Sequence, residues 1–187
     1  MKSDFLTSPQ TVTLKDFSIG QTEVTQELWE AVMGYNPSVF KGKNRPVESV
    51  SWNECQRFLQ KLNSLSGKSF SLPMMAEYEY AASGGLKTHG FQFAGSNDVD
   101  EVAWYLDNSD FETHPVGLKK CNELGLYDLS GNVWEISCDI NNDDDRYHRT
   151  FGGSIANPRE DVGITSCVNI LADDAYDAIG FRLASSQ

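Results

Sequence analysis

The sequence predicts an α+β fold, and three observations predict it. Helix start and stop signals gather in the first half of the chain, around Thr25, Ser51 and Pro73. After those helices the pattern changes to short apolar alternations between turn residues, which reads as short strands in a loop-rich second half. The composition, 40% hydrophobic with 15 glycines in 187 residues, is that of a globular chain of one-domain length. No fixed-period repeat and no Pro- or Ser-rich linker divides it, so residues 1–187 read as one domain. A chain of this size buries a core without needing disulfides or metal, so any metal would serve local order or function.

Two to three helices are expected. The first begins where Thr25 can cap it, carries Leu28, Trp29, Val32 and Met33 on one face and ends at Gly34. In the second, Ser51-Trp52-Asn53-Glu54 matches a capping box: the serine oxygen accepts from the Glu54 amide while the Glu54 carboxylate accepts from the serine amide. Cys55, Phe58, Leu59 and Leu62 form its apolar stripe, and Ser64 to Gly67 is expected to break it. The third, Met75 to Ser83, follows Pro73 and stops at Gly84-Gly85. Strand-like alternations lie at Thr11 to Leu14, Val102 to Tyr105 and Gly180 to Leu183.

Fifteen basic against 27 acidic residues give a net charge of −12, which repels polyanions and disfavours nucleic acid and anionic membrane as partners. The longest apolar run, Val102 to Leu106, is far short of the ~20 residues that span a bilayer, so no membrane insertion is expected. Met1 to Phe5 has no apolar stretch of signal-peptide type. Cys55, Cys121, Cys138 and Cys167 show no C-x-x-C spacing, which argues against zinc and leaves separate thiols as the expectation, with one disulfide open. His89, His114 and His148 are too scattered for a histidine-based catalytic set, and His114, before Pro115, reads as an exposed loop residue.

Other chemistry-bearing patterns read as structural. The acidic run Asp139 to Asp145 fails the EF-hand template, having Asp144 where glycine and Thr150 where glutamate belong, and is expected to be a solvated loop. Glu77 and Glu79 point to different helix faces, so capping or ion pairing is expected rather than acid-base work. Ser130-Gly131 lacks the G-x-S-x-G arrangement of a nucleophile elbow. Trp104 and Trp134 are expected in the core.

Six segments in order resemble one family. They are Thr22 to Thr25, Pro46 to Trp52, Leu72 to Ala82, Gly125 to Glu135, Gly152-Gly153-Ser154 and the closing Gly180-Phe181-Arg182. Together they resemble the formylglycine-generating-enzyme, or sulfatase-modifying-factor, domain, a variant of the C-type lectin fold. The resemblance implies a copper-binding cysteine pair in the enzymes of that family, near the positions held here by Asn157 and Val162. Soft thiolates are the ligands that Cu(I) chemistry requires, so no copper and no oxidase activity are expected.

One subgroup of that family, the variable proteins of diversity-generating retroelements, is similar in a further respect. There the stretch between Gly-Gly-Ser and Gly-Phe-Arg is varied through asparagine codons whose adenines are replaced. Between Ser154 and Gly180, only Glu160 is a residue that such replacement does not reach. The apolar and acidic mixture at Asn169-Ile170-Leu171-Ala172 and Tyr176-Asp177-Ala178 follows neither helix nor strand period.

The resemblance therefore implies a non-catalytic protein that displays residues 155–179 as a variable ligand-binding surface. Its expected side chains are Ile155, Ala156, Asn157, Arg159, Asp161, Asn169, Ile170, Leu171, Asp173, Tyr176, Asp177 and Ala178. The ligand would be a protein or another cell-surface molecule, with this protein itself on a cell surface or virion. The resemblance also implies structural calcium held by Asn132 and Glu135, with a second site near Trp104 to Asn108, where six carboxylates between Asp98 and Glu112 meet no Lys or Arg within the segment. The alternatives are a fixed lectin-like accessory domain and, against the missing cysteine pair, a formylglycine-generating oxidase.

Overall fold

The computed structural model describes residues 12–141 and 144–186. The readings of Met1 to Phe5, of Thr11 and of Asn142 and Asp143 lie outside the described residues.

Helix α1 (Gln26–Met33) is capped by Thr25, whose hydroxyl accepts from the Leu28 amide, and it ends in Gly34 at φ 85°. Helix α2 (Trp52–Ser66) has the full capping box at Ser51 and Glu54, and its stripe buries Cys55, Phe58 and Leu59. It runs on through Ser64 and stops only where Gly67 turns left-handed, later than the serines suggest. Helix α3 (Met75–Ala82) ends at Ser83, and Glu77 accepts from the Met74 amide as the expected cap. A fourth helix, α4 (Val99–Val102), runs into the stretch read as a strand, because the Asp98 carboxylate caps it by accepting from the Asp100 amide. Trp104 makes only an isolated bridge to Gly131.

Two sheets complete the fold. Strands β1 (Phe17–Ile19) and β6 (Ala184–Ser186) pair antiparallel and join the beginning and end of the described chain. The larger sheet has the order β4-β3-β2-β5, from β2 (Trp134–Asn141), β3 (Asp144–Phe151), β4 (Cys167–Leu171) and β5 (Ile179–Gly180). β2 and β3 pair antiparallel, so Asp139 to Asn141 and Asp144-Asp145 lie in strands where the acidic run reads as a solvated loop. Asp139 is drawn into it because its carboxylate accepts from the Met75 amide at 2.5 Å, closing the N-terminus of α3. Residues 12–14 form no strand, and Gly180 to Leu183 is strand only at Gly180.

The main core lies between α1, α2 and the larger sheet. Trp29 stacks on Phe58 with ring centroids 5.1 Å apart, Phe181 meets both edge-on, and Val47, Val50, Leu72, Trp134, Ile136, Ile170 and Ile179 close around them. Tyr78, Leu126, Leu129 and Phe151 form a second cluster under α3, and Phe93, Val99, Val102, Tyr105 and Val162 a third. No helix among the described residues is long and apolar enough to cross a membrane. The four cysteines are unpaired: Cys55 is buried, Cys121 half-buried, and Cys138 and Cys167 exposed.

Candidate functional site

The stretch 155–179 divides between two neighbourhoods. Its first part sits against the 104–109 segment, where the Leu106 amide donates to the Asn157 carbonyl at 3.0 Å and the Ser109 hydroxyl to the Ile155 carbonyl at 3.1 Å. Arg159 lies over the Phe93 ring, 5.7 Å from its centroid. The second part is β4 and the 172–178 loop, set against the N-terminus of α2.

Burial sorts the twelve expected side chains. Ala156, Arg159, Asp161, Asn169, Leu171, Asp173, Tyr176 and Asp177 are exposed. Ile155 and Ile170 are corrections, at 3% and 4% exposure. Ile170 points inward because alternate residues of a strand face opposite sides, and it joins the main core while its neighbours Asn169 and Leu171 face out. Asn157 is half-buried, its Oδ1 accepting from both the amide and the hydroxyl of Ser154, and Ala178 is half-buried with its carbonyl taken by the Trp134 amide.

The 172–178 loop is held by four hydrogen bonds to its main-chain carbonyls and by two of its side chains, those of Asp173 and Asp174. Ala172 O accepts from the Asn53 amide at 3.1 Å, Tyr176 O from the amides of Ser49 and Ile179 at 3.0 Å each, and Ala178 O from that of Trp134 at 2.8 Å. One loop side chain closes a turn: Asp174 Oδ2 accepts from the Leu171 amide at 2.9 Å, leading the chain out of β4. Asn53 Nδ2 donates to Asp173 Oδ1 at 2.6 Å from the first turn of α2. Under this corner Trp52 stacks on His148, with centroids 4.1 Å apart and planes 11° from parallel. Burial lowers the pKa of His148, favouring the neutral ring.

Sequence reasoning missed Ser49, Asn53 and His148 as parts of this corner. Ser49 and Trp52 lie inside the 46–52 segment, but their partners are remote and no spacing rule links them. Ser49 takes φ 59°, a left-handed conformation uncommon outside glycine, and its hydroxyl donates to the buried Glu48 carboxylate. Burial raises the Glu48 pKa, opposed by hydrogen bonds from the Phe40 amide and the Ser49 hydroxyl.

Asn132 and Glu135 do not fit a calcium site. Both Glu135 oxygens receive the guanidinium of Arg182, Oε2 from Nε at 2.5 Å and Oε1 from Nη2 at 2.6 Å. Asn132 Oδ1 accepts from the His114 amide, and its Nδ2 donates to Glu23 Oε1 and to the His114 carbonyl. The side-chain oxygens of both residues are thus committed to protein donors. No group of three or more His, Cys, Asp or Glu that could hold a metal occurs among the described residues. In the second expected segment Asn108 Oδ1 accepts from the Tyr105 amide. Lys120 pairs with Glu101 at 2.9 Å, and Lys119 reaches the Asp100 carbonyl and the face of Trp104. Trp104, expected in the core, is half-buried, and His114, read as exposed, is half-buried too, its ring stacked on the indole at 3.7 Å.

The Glu135 and Arg182 pair belongs to a buried charge cluster. Arg182 also donates to the carbonyls of Gly20 and Tyr127, so one guanidinium ties four segments together. Burial, reinforced by the charges of Asp128 and Glu135, holds the Glu23 carboxyl well above its ordinary pKa. Glu23 Oε2 and Asp128 Oδ1 are buried without a hydrogen-bond partner among the described residues. Burial also raises the Asp128 pKa, opposed by the Gly117 amide, the charge of Arg182 and the Glu23 side chain.

Known proteins bear on the fold. The family model described as sulfatase-modifying factor enzyme 1-like domain matches residues 2–187. The Treponema denticola variable protein 1 structure superposes with a TM-score of 0.89 at 31% identity, covering 100% of this chain and 90% of that one. Chaperone protein LppX of Paenibacillus barcinonensis is 38% identical, with 68% of this chain and 64% of the relative covered. The inactive C-alpha-formylglycine-generating enzyme 2 of Bos taurus is 28% identical, with 87% and 57% covered. The chain thus spans less than two thirds of the length of these curated relatives. The U1 variant of the Major Tropism Determinant shares the fold alone, at a TM-score of 0.58 and 14% identity over 91% of this chain and 50% of that one. The architecture is therefore the C-type-lectin-like fold expected from the motifs.

Proposed function

The chain belongs to the family of sulfatase-modifying factor enzyme 1-like domains, and from that premise we propose that it is a non-catalytic binding protein whose ligand surface is β4 and the 172–178 loop. The observation that carries this reading is the anchoring of the loop by its carbonyls. A main-chain anchor is indifferent to the side chain, so exposed residues here change at about ±0.5 kcal/mol each while the backbone stays in place. A backbone already ordered also lowers the entropy cost of binding.

Likeness to a variable protein at 31% identity and to an inactive enzyme homologue supports a scaffold that has left catalysis. Asn157 and Val162, where the family's cysteine pair falls by resemblance, add to this: Asn157 is committed to Ser154 and Val162 is buried beside Phe93. Copper loading is expected to produce no oxygen consumption with a thiol peptide. Diversification by a retroelement and display on a cell surface or virion belong to the same proposal, supported by the likeness to the variable protein.

The test replaces Asn169, Leu171, Tyr176 and Asp177 in combination and reads melting temperature beside the binding profile on peptide and glycan arrays. An unchanged melt with a changed profile is expected; broad unfolding, or a profile indifferent to the replacements, refutes the reading. Sequencing the gene's 3′ end across a growing population is expected to find substitutions gathered in codons 155–179. A second reading, a fixed accessory domain serving another protein, is favoured by the relative named a chaperone. It predicts an invariant stretch.

A further inference from the structure

Resting on the reading of β4 and the 172–178 loop as a ligand surface, we propose that this surface docks a cationic partner, a Lys- or Arg-bearing segment of another protein. Side chains from three places flank it. The loop contributes Asp173 and Asp177 on either side of Tyr176, which is 54% exposed. The segment after α1 contributes Tyr35 at 44% and Val39 at 59% exposure, and α2 contributes Asn53 and Glu54.

Hydrogen bonds make these one surface. Tyr35 Oη donates to Glu54 Oε1 at 3.3 Å, and Asn53, the residue before Glu54, holds Asp173. On the other side the Phe40 amide, next to Val39, donates to Glu48 Oε1, and Ser49 after it holds the Tyr176 carbonyl. Asp177 comes near enough to Glu48 for the two charges to repel. Arg57, on the next turn of α2, bounds the surface near Tyr35.

The charge of this surface is largely unpaired. Residues 167–178 contain three aspartates and no Lys or Arg, and no ion pair among the described residues uses any of the three. A guanidinium or ammonium group between such carboxylates gains charge-assisted hydrogen bonds, and over a tyrosine ring it gains a cation–π contact as well. Val39 offers apolar cover for the methylene stem that carries the charge. The net charge of −12 speeds encounter with a basic partner and repels an acidic one.

Fluorescence anisotropy of the full chain with labelled tetra-arginine and tetra-glutamate peptides tests this. The arginine peptide is expected to bind and the glutamate peptide not to. Asp173→Asn with Asp177→Asn is expected to weaken arginine-peptide binding at least about tenfold. Removing the same charge elsewhere, by Asp107→Asn with Glu160→Gln, is expected to change it less than about twofold. Thermal melts confirm that each variant is folded. Equal loss in the two double variants reduces the effect to net charge and overturns the proposal, as does failure of the arginine peptide to bind. On the arrays, a profile that follows the loop residues without preferring basic sequences overturns the cationic partner and leaves the binding surface standing. A profile indifferent to the loop removes both.

Discussion

Replacing Arg182 by methionine tests the buried charge cluster directly. Arg182 and Glu135 are fully buried, and the guanidinium makes four hydrogen bonds, two to Glu135 and two to the carbonyls of Gly20 and Tyr127. Methionine fills much of the volume and supplies none of them. Breaking a buried pair from one side costs about 3–5 kcal/mol, chiefly because the remaining carboxylate is left uncompensated. That is a large part of the roughly 5–15 kcal/mol by which a folded chain is stable. At about 2–4 °C per kcal/mol for a chain of this size, the melting temperature should fall by roughly 6–20 °C.

The cluster makes the number checkable. Arg182 meets Glu135 through two hydrogen bonds and acts on Asp128 through its charge, so the methionine variant deprives both carboxylates of this cation. Adding Glu135→Leu removes one of the two stranded charges and should recover about half of the loss. Urea denaturation followed by far-UV circular dichroism measures wild type, both single variants and the double. A loss below about 1 kcal/mol for Arg182→Met, or a double variant no more stable than it, would refute the account of this cluster.

Three further outcomes are expected. Ile170→Ala should cost about 2–5 kcal/mol while Leu171→Ala, one residue along, costs about 0.5 kcal/mol or less, read by chemical denaturation; equal costs would contradict the inward and outward assignment. Gly131→Ala should destabilise by more than about 3 kcal/mol, since a Cβ there would stand 2.2 Å from the Trp104 carbonyl at φ 81°. Gly34→Ala, at φ 85° with nothing within 4 Å, should cost only about 1 kcal/mol, and thermal melts separate the two. Glu23→Gln should flatten the pH dependence of stability. The Glu23 pKa is raised in the fold, so its contribution is full below the unfolded value of about 4.3 and is lost as pH rises through the folded value. Denaturation between about pH 5 and pH 9 should show wild type losing stability that the amide variant keeps, and parallel curves would count against a protonated Glu23.

Much of the fold was legible because helix ends are local. Thr25 with the Leu28 amide, Ser51 with Glu54, and the left-handed Gly34 and Gly67 each act within about a turn of their helix, so their signals stand side by side in the chain. The strands are poorly legible for the opposite reason. Asp144 to Phe151 alternates too little to announce a strand, yet β3 lies between β2 and β4 and draws its order from both. The Gly-Gly-Ser and Gly-Phe-Arg motifs bracket the proposed surface, but which side chains between them face out is not legible in the sequence. Ile170 and Leu171 are alike in composition, and only strand register turns one toward the core of Trp29 and Phe58 and the other toward water.

The sequence by itself determined the capped helices, the family motifs in their order, the acidic net charge and the absence of thiols at positions 157 and 162. Tertiary structure alone decided that Asn53 holds Asp173, that Glu135 is paired with Arg182, and that Lys119 and Lys120 come to an acidic segment without a base of its own. Caps and turns are settled by neighbours a few residues apart. Burial and charge pairing are settled by whatever the packed chain brings within a few ångströms, and in this protein those partners are 19 to 120 residues away.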